Sequence, residues 1–422
     1  MLRQKFYGKL RKGGRDITKE EILQHYFGYA VFRPGQAEII DSILAKRDTL
    51  AILPTGAGKS ICFQVPALLL PGLTLVVSPL ISLMRDQVAH LRQAGIPAAC
   101  VDSAAGENVY GRTLYDTRSG HYKLLYVSPE RLQNKSFLQF VRHTQVSMLV
   151  VDEAHCVSQW GHDFRPQYLQ IADFLDALPE RPYYAAFTAT ATPRVREDII
   201  TGLCMQDATV VCKGFDRPNL FLAVASPKDK EQALLKNLVA HIGESGIIYC
   251  ATRRKTEQVT RLLLEHGYLA ARYHAGLTSK EREEARDKFV RDEIKVMVAT
   301  NAFGMGIDKG NVSFVIHYNM PLNLEGYYQE AGRAGRDGEK AFCLLLYDQK
   351  DWELNHFLAP EKEKLLQQMW AYCEEKGCLR NHLLRYFGEP VKGPCGFCSN
   401  CVRKNWWQEV KSLFKFSQEK SN

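Results

Sequence analysis

Several groups of residues in this chain have types and spacings suited to chemistry. The stretch "PTGAGKS" (54–60) follows an apolar run. Gly56 and Gly58 permit a tight turn whose N–H groups can face an anion, ahead of a helix N-terminus. Pro54, Thr55 and Ala57 complete the loop. Lys59 would then reach the β/γ phosphates of ATP, and Ser60 would ligate Mg²⁺. The strict form of this loop has Gly at the position of Leu53. About ninety residues later "VDEAH" (151–155) sets two carboxylates at the end of another apolar run. Asp152 would hold Mg²⁺ through water, and Glu153 would orient and deprotonate an attacking water, with His155 beside them. Phosphoryl transfer also needs positive charge on the γ-phosphate. "YYQEAGRAGRDG" (327–338) offers Arg333 and Arg336, whose spacing predicts one shared helix face.

Directly after the acidic pair comes "HCVSQWGHDFRPQY" (155–168), with His162, Arg165 and three aromatic side chains, Trp160, Phe164 and Tyr168. Such a loop is costly to bury. Its rings could stack on unstacked bases, worth about 1–3 kcal/mol per base. A base landing there could reposition Glu153 or His155, so the loop reads as a DNA sensor for the ATPase. Of 12 cysteines, seven are scattered from Cys62 to Cys343 and most of these lie in apolar segments, as in a reducing compartment. The other five fall between 373 and 401. Cys395, Cys398 and Cys401 are spaced by two residues, and Cys373 or Cys378 supplies a fourth thiolate. Four thiolates suit a closed, structural zinc site; an iron–sulfur cluster is the alternative.

The elements that must position these groups are short continuous apolar runs alternating with longer mixed segments. The runs include "TLAIL" (49–53), "LTLVVS" (73–78), "KLLYVS" (123–128), "SMLVV" (147–151) and "YAAFTAT" (184–190), then "GIIYCAT" (246–252), "ARYHAG" (271–276), "KVMVAT" (295–300), "VSFVIHYN" (312–319) and "AFCLLLYD" (341–348). This pattern predicts α/β structure with parallel sheets covered on both faces, and ligand sites beyond the carboxyl ends of the strands. It pauses at "CKGFDRPNLF" (212–221). The expected organisation is a basic extension (1–20), a first lobe (21–213), a second lobe (214–350), a helical zinc module (351–402) and an amphipathic tail (403–422). If the second-lobe arginines complete a site in the first lobe, ATP binding and hydrolysis drive a two-state hinge.

Composition is ordinary for a globular chain of 422 residues, 45% hydrophobic and 24% charged. The net charge of +8 resides mostly in residues 1–20 and 402–422, so bulk charge alone does not announce a nucleic-acid binder. Pro66, Pro71 and Pro79 break the longest apolar stretch, which argues against a membrane span. The first twenty residues hold no apolar core of a signal peptide, and a cytoplasmic location is expected.

Read in order, "FGYAVFRPGQ" (27–36), "PTGAGKS", "VSPLISLMRDQ" (77–87), "VSPERL" (127–132), "VDEAH", "FTATAT" (187–192), "ATNAFGMGIDK" (299–309) and the arginine motif resemble the ordered motifs of superfamily 2 helicases with a DEAH-type box. More narrowly the chain resembles the RecQ family of ATP-dependent DNA helicases, over roughly residues 20 to 402. The resemblance implies two RecA-like lobes. It puts Tyr29, Arg33 and Gln36 at the adenine, and Asp308 and Gln329 along the nucleotide site. It gives Thr188 and Thr190 the coupling of hydrolysis to movement, and the segment with Ser78 and Pro79 the tracking of one strand's phosphates. It favours Cys378 as the fourth zinc ligand, since a cysteine opens the "LRNHLLRYFGE" helix. The implied activity is 3′→5′ translocation on single-stranded DNA and unwinding of tailed duplexes in repair and recombination. The alternatives are a non-unwinding remodeller of protein–DNA complexes and an RNA helicase. No winged-helix pattern follows Cys401, so weak strand separation is expected. The tail's Trp406, Trp407, Val410, Leu413 and Phe414 share a helical face that would cover the zinc module or dock a protein partner.

Overall fold

The structure is a computed structural model. It describes residues 11–12, 15–101, 106–161, 163–304 and 309–402, with side chains from residue 17 onward. His162, Asp308, the tail after residue 402 and most of the basic N-terminal extension lie outside the described residues. The chain forms two compact units that divide between Gly214 and Phe215.

The first unit is built on seven strands: β1 (Thr49–Ile52), β2 (Leu73–Val77), β3 (Ala98–Val101), β4 (Leu124–Val127), β5 (Val146–Val151), β6 (Tyr183–Thr188) and β7 (Thr209–Cys212). All pairings are parallel, and the spatial order is β3-β4-β2-β5-β6-β1-β7. Every residue of β1, β2, β4 and β5 is buried. A strand covered on both faces can carry apolar side chains continuously, which is why these strands were legible as unbroken runs. The edge strands β3 and β7 were not anticipated. They are short and mix small or partly exposed residues into the run. The helix Lys19–Phe27 opens with a Thr18/Glu21 capping box and closes on Gly28 in the left-handed region (φ 74°).

The second unit carries β8 (Leu220–Ala225), β9 (Gly246–Tyr249), β10 (Ala270–Tyr273), β11 (Val296–Ala299), β12 (Phe314–His317) and β13 (Ala341–Leu346). They pair in parallel in the order β8-β13-β12-β9-β11-β10. Strand β8 begins inside the stretch where the periodicity pauses. Helices Gln349–Leu358, Glu363–Cys373 and Leu379–Tyr386 follow the sheet and pack within the same unit. A β-bridge joins Leu222 to Cys398, and Phe397 meets Phe221 edge-on at 5.2 Å. Among the described residues no helix is long and apolar enough to cross a membrane.

Candidate functional site

The loop between β1 and helix Lys59–Leu69 turns on Gly56 (φ 82°) and Gly58 (φ 78°). The backbone angle demands glycine, and a Cβ at Gly58, 2.6 Å from Gln36 Nε2, would also push that amide off its bonds. Gln36 is 3% exposed and donates to the carbonyls of Ala57 (3.1 Å) and Gly58 (3.0 Å). Its Oε1 accepts from the Arg33 N–H at 2.8 Å, and Arg33 Nη1 donates to Gly56 O. These side chains hold three loop carbonyls, while the first N–H groups of the helix have no acceptor within it. Tyr29 stands 52% exposed on the preceding turn. Leu53 explains the missing first glycine: it is fully buried, and its N–H donates to Thr188 O at 3.1 Å, so the side chain belongs to the core and the turn starts after it.

Because β1, β6 and β5 are adjacent, the loops that leave their carboxyl ends stand side by side. Asp152 and Glu153 leave β5. Burial, then the neighbouring Glu153, pushes the Asp152 carboxyl up to about 6 against the pull of Lys59. Glu153 adopts φ 49°, uncommon for a residue with a side chain. Its Oε1 lies 3.9 Å from Lys59 Nζ and its Oε2 3.3 Å from His155 Nδ1. The same His155 nitrogen is 2.9 Å from Thr188 Oγ1 at the end of β6. Burial, then the Lys59 and Arg165 cations, pushes the imidazole down to about 3, so it is neutral. Thr188 Oγ1 in turn bonds the carbonyl and the N–H of Thr190 (3.1 and 3.2 Å). The structure thus brings Lys59, Glu153, His155, Thr188 and Thr190 into one connected chain.

The ring-rich loop is tied to this chain. Tyr168, fully buried, donates its hydroxyl to Asp152 O at 2.9 Å. Arg165 Nη1 donates to Pro79 O at 3.2 Å, and its Nε and Nη2 hold Asp163 Oδ2 at 3.2 and 2.9 Å. Ser78 beside it is buried, with no partner for its hydroxyl among the described residues. Phe164 is half-buried, while Trp160 is 41% exposed. Two residues missed in the sequence, Arg194 and Asp198, anchor the tip. The Arg194 guanidinium lies 3.7 Å from the Trp160 ring centroid. Asp198 accepts from Ser158 Oγ, which itself accepts from the Trp160 N–H at 3.1 Å. Their signal was available: they stand four apart in helix Pro193–Gly202, hence on one face.

In the second unit the expected shared helix face of Arg333 and Arg336 is corrected. The helix is Leu324–Ala331, and both arginines follow it in successive turns. Gly332 ends the helix, and Gly335 takes φ 56°. Arg333 is 6% exposed, and its Nη2 lies 2.9 Å from where a Cβ at Gly304 would stand. Gln329 is half-buried on the helix itself.

The Sγ atoms of Cys378, Cys395, Cys398 and Cys401 all lie within 4.8 Å of one another. Backbone N–H groups point at the sulfurs: Cys395 N at Cys378 Sγ (3.4 Å) and Phe397 N at Cys395 Sγ (3.3 Å). Donors aimed at sulfur favour thiolate, and four thiolates fit tetrahedral zinc. Cys373, 5% exposed at the end of its helix, is outside the cluster.

Residues 33–199 match the model of DEAD/DEAH box helicases, 229–338 the helicase conserved C-terminal domain and 350–402 the RecQ zinc-binding domain. A structure of S. cerevisiae Dbp5 bound to RNA and ADP BeF3 superposes with a TM-score of 0.66 at 19% identity, over 94% of this chain and 96% of that one. That likeness establishes the fold: two RecA-like lobes. The ATP-dependent DNA helicase RecQ of Bacillus subtilis is 44% identical over 91% of this chain and 66% of its own length, so this chain spans just under two-thirds of it. A protein of Acanthamoeba polyphaga mimivirus is 40% identical over 95% of this chain and 74% of its own. Two helicase lobes followed by a cysteine module with this identity define one lineage, and the chain belongs to the RecQ family of helicases.

Proposed function

We propose that this chain is an ATP-dependent DNA helicase that moves 3′→5′ along single-stranded DNA and opens tailed duplexes. One observation carries the reading. The aromatic loop is bonded at Tyr168 to the Asp152 carbonyl and at Arg165 to the Pro79 carbonyl, so whatever occupies the loop pulls on the hydrolytic residues.

In this reading Gly56, Gly58 and the start of their helix cradle the phosphates, and Lys59 contacts the β/γ oxygens. Ser60 and Asp152 would hold Mg²⁺, which neutralises phosphate charge when bound. Glu153, already turned toward Lys59 and His155, orients the attacking water and takes its proton. Arg333 and Arg336 supply positive charge to the transferring phosphoryl group. Tyr29 packs on adenine. Both Gln36 N–H donors are engaged by Ala57 and Gly58, and one lone pair of Oε1 by the Arg33 N–H, so only the second lone pair of Oε1 is left to accept from the adenine amino group. Neutral His155 relays the position of Glu153 to Thr188 and Thr190. Cys378, Cys395, Cys398 and Cys401 would hold Zn²⁺ in a closed shell that stabilises the module without taking part in hydrolysis.

Steady-state ATPase rates with single-stranded DNA, duplex DNA and RNA test the reading. Strong stimulation by single-stranded DNA is expected, together with strand displacement on 3′-tailed duplexes. The mimivirus relative carries the provisional name of an RNA helicase, so RNA is a necessary arm. Stimulation by RNA alone would overturn the DNA assignment. Displacement of streptavidin without strand displacement would make the chain a remodeller.

A further inference from the structure

Arg217 belongs to "FDRPNL", the segment that enters β8. Its Nη1 donates to Gly332 O at 3.1 Å, and its Nη2 donates to Ala334 O and Gly335 O, each at 2.9 Å. Asn219 Nδ2 adds bonds to Gly335 O (2.9 Å) and Glu339 O (2.8 Å). These acceptors surround Arg333, just past the end of helix Leu324–Ala331. Carbonyls there lack intrahelical donors, and the helix dipole favours a cation. One planar guanidinium therefore fixes three carbonyls of the arginine turn.

Arg217 is held in turn from the cysteine module. Arg380, 6% exposed, is the second residue of the helix that Cys378 opens. Its Nη1 donates to Asp216 Oδ1 (2.8 Å) and to Arg217 O, and its Nη2 to Leu220 O (2.7 Å). The same module grips the helix that leads into the turn. Tyr386 donates to Glu325 Oε1 at 2.5 Å, Tyr372 and Tyr327 share a hydroxyl contact at 3.3 Å, and Phe387 meets Tyr328 edge-on at 4.9 Å.

We infer that Arg217 and Arg380 are positioning residues for ATP hydrolysis: through these two guanidiniums the cysteine module sets where Arg333 and Arg336 point. The inference rests on the reading of those arginines as suppliers of charge to the phosphoryl group. Lysine at either position keeps the charge but lacks the fork, so the turn gains freedom without losing electrostatics. A misplacement near 1 Å costs about 100-fold in rate.

The test uses the full, zinc-loaded chain with Mg²⁺ and saturating single-stranded DNA. Arg217→Lys and Arg380→Lys should each lower kcat by about 10- to 100-fold, as expected for misplaced groups. KM for ATP, zinc content and DNA affinity should stay within about twofold, since uniform binding is untouched. Arg333→Ala should lower kcat by itself, and adding Arg217→Lys to it should cost less than Arg217→Lys costs alone, because the two share one interaction and only the part acting through Arg336 is left. A scaffold role alone would lower Tm and leave kcat at 25 °C normal. Normal kcat in both lysine variants while Arg333→Ala is impaired overturns the inference, as do additive losses in the double variant. Normal kcat in both Arg333→Ala and Arg336→Ala overturns the underlying reading instead. Should a lysine variant fail to fold, Asn219→Ala, which removes two bonds to the same turn, decides by the same kcat and KM criteria.

Discussion

Gly58 shows how tightly single residues are constrained here. Alanine there meets the Gln36 amide at 2.6 Å and must hold φ 78°. The backbone penalty alone is about 1–2 kcal/mol. Gly58→Ala should weaken nucleotide binding severely, measured by a fluorescent ATP analogue; wild-type affinity would show that the loop reshapes freely. Lys59→Ala should abolish turnover, by at least about 100-fold as for other lost phosphate contacts, while DNA binding survives in an anisotropy titration. At this scale the sequence was informative, because the glycines, Lys59, Asp152 and Glu153 announce themselves by type and spacing. What it hid were partners chosen by the fold. Nothing in the letters shows that His155 is neutral and bonded to Thr188, or that the Gln36 amide faces loop carbonyls.

Elements explain the rest of the difference. The buried central strands were readable because both faces are covered; the edge strand β7 was not, because three of its four residues are partly or fully exposed, and β3 was not, because its small residues Ala98, Ala99 and Cys100 make a short, weak run. The arginine turn was misread because residue spacing cannot show where a helix stops. Gly332 and the Arg217 fork end it at Ala331. The helix Leu324–Ala331 also carries a buried acid, Glu325, which is 2% exposed with one oxygen unpartnered among the described residues. Burial raises its carboxyl above the usual range, against the Tyr386 bond. A raised acid stabilises the fold while protonated and loses that contribution as pH rises. Glu325→Gln should therefore raise Tm at pH 8, with the gain shrinking as pH falls through the carboxylate range. An equal gain at pH 4 and pH 8 would contradict the burial argument. For the cysteine cluster, elemental analysis should return about one zinc per chain, as a single four-thiolate site requires. Cys398→Ser should lose zinc and stability together, because the bridge from Cys398 to Leu222 fastens the module to β8. Cys373→Ser should keep its zinc; loss there would make it the fourth ligand.

At the scale of the whole molecule, the ordered motifs fixed the family because eight of them recur in sequence over two sheets, and no single one has to carry it. The proposed direction of movement is not written in any spacing and rests on the family resemblance alone. Coupling should appear as a shared failure. Trp160→Ala and Arg165→Ala should keep DNA-independent ATPase, while DNA stimulation and strand displacement fall together in parallel assays. Normal unwinding by either variant would make the loop a packing element. The charge distribution adds an expected salt dependence: DNA binding made through phosphate contacts should weaken steeply as salt rises.

The Arg194 guanidinium over Trp160 gives that loop a particular character. A base that stacks on the covered face must first displace a contact worth about 0.5–1 kcal/mol at an exposed site. The stack returns about 1–3 kcal/mol. The difference is on the order of 1 kcal/mol, roughly a fivefold bias. On the proposed reading, a margin that small would make a poor grip and a good toggle: the ring would pass from cation to base and back at each step along a strand, instead of trapping a motor on the first base it meets.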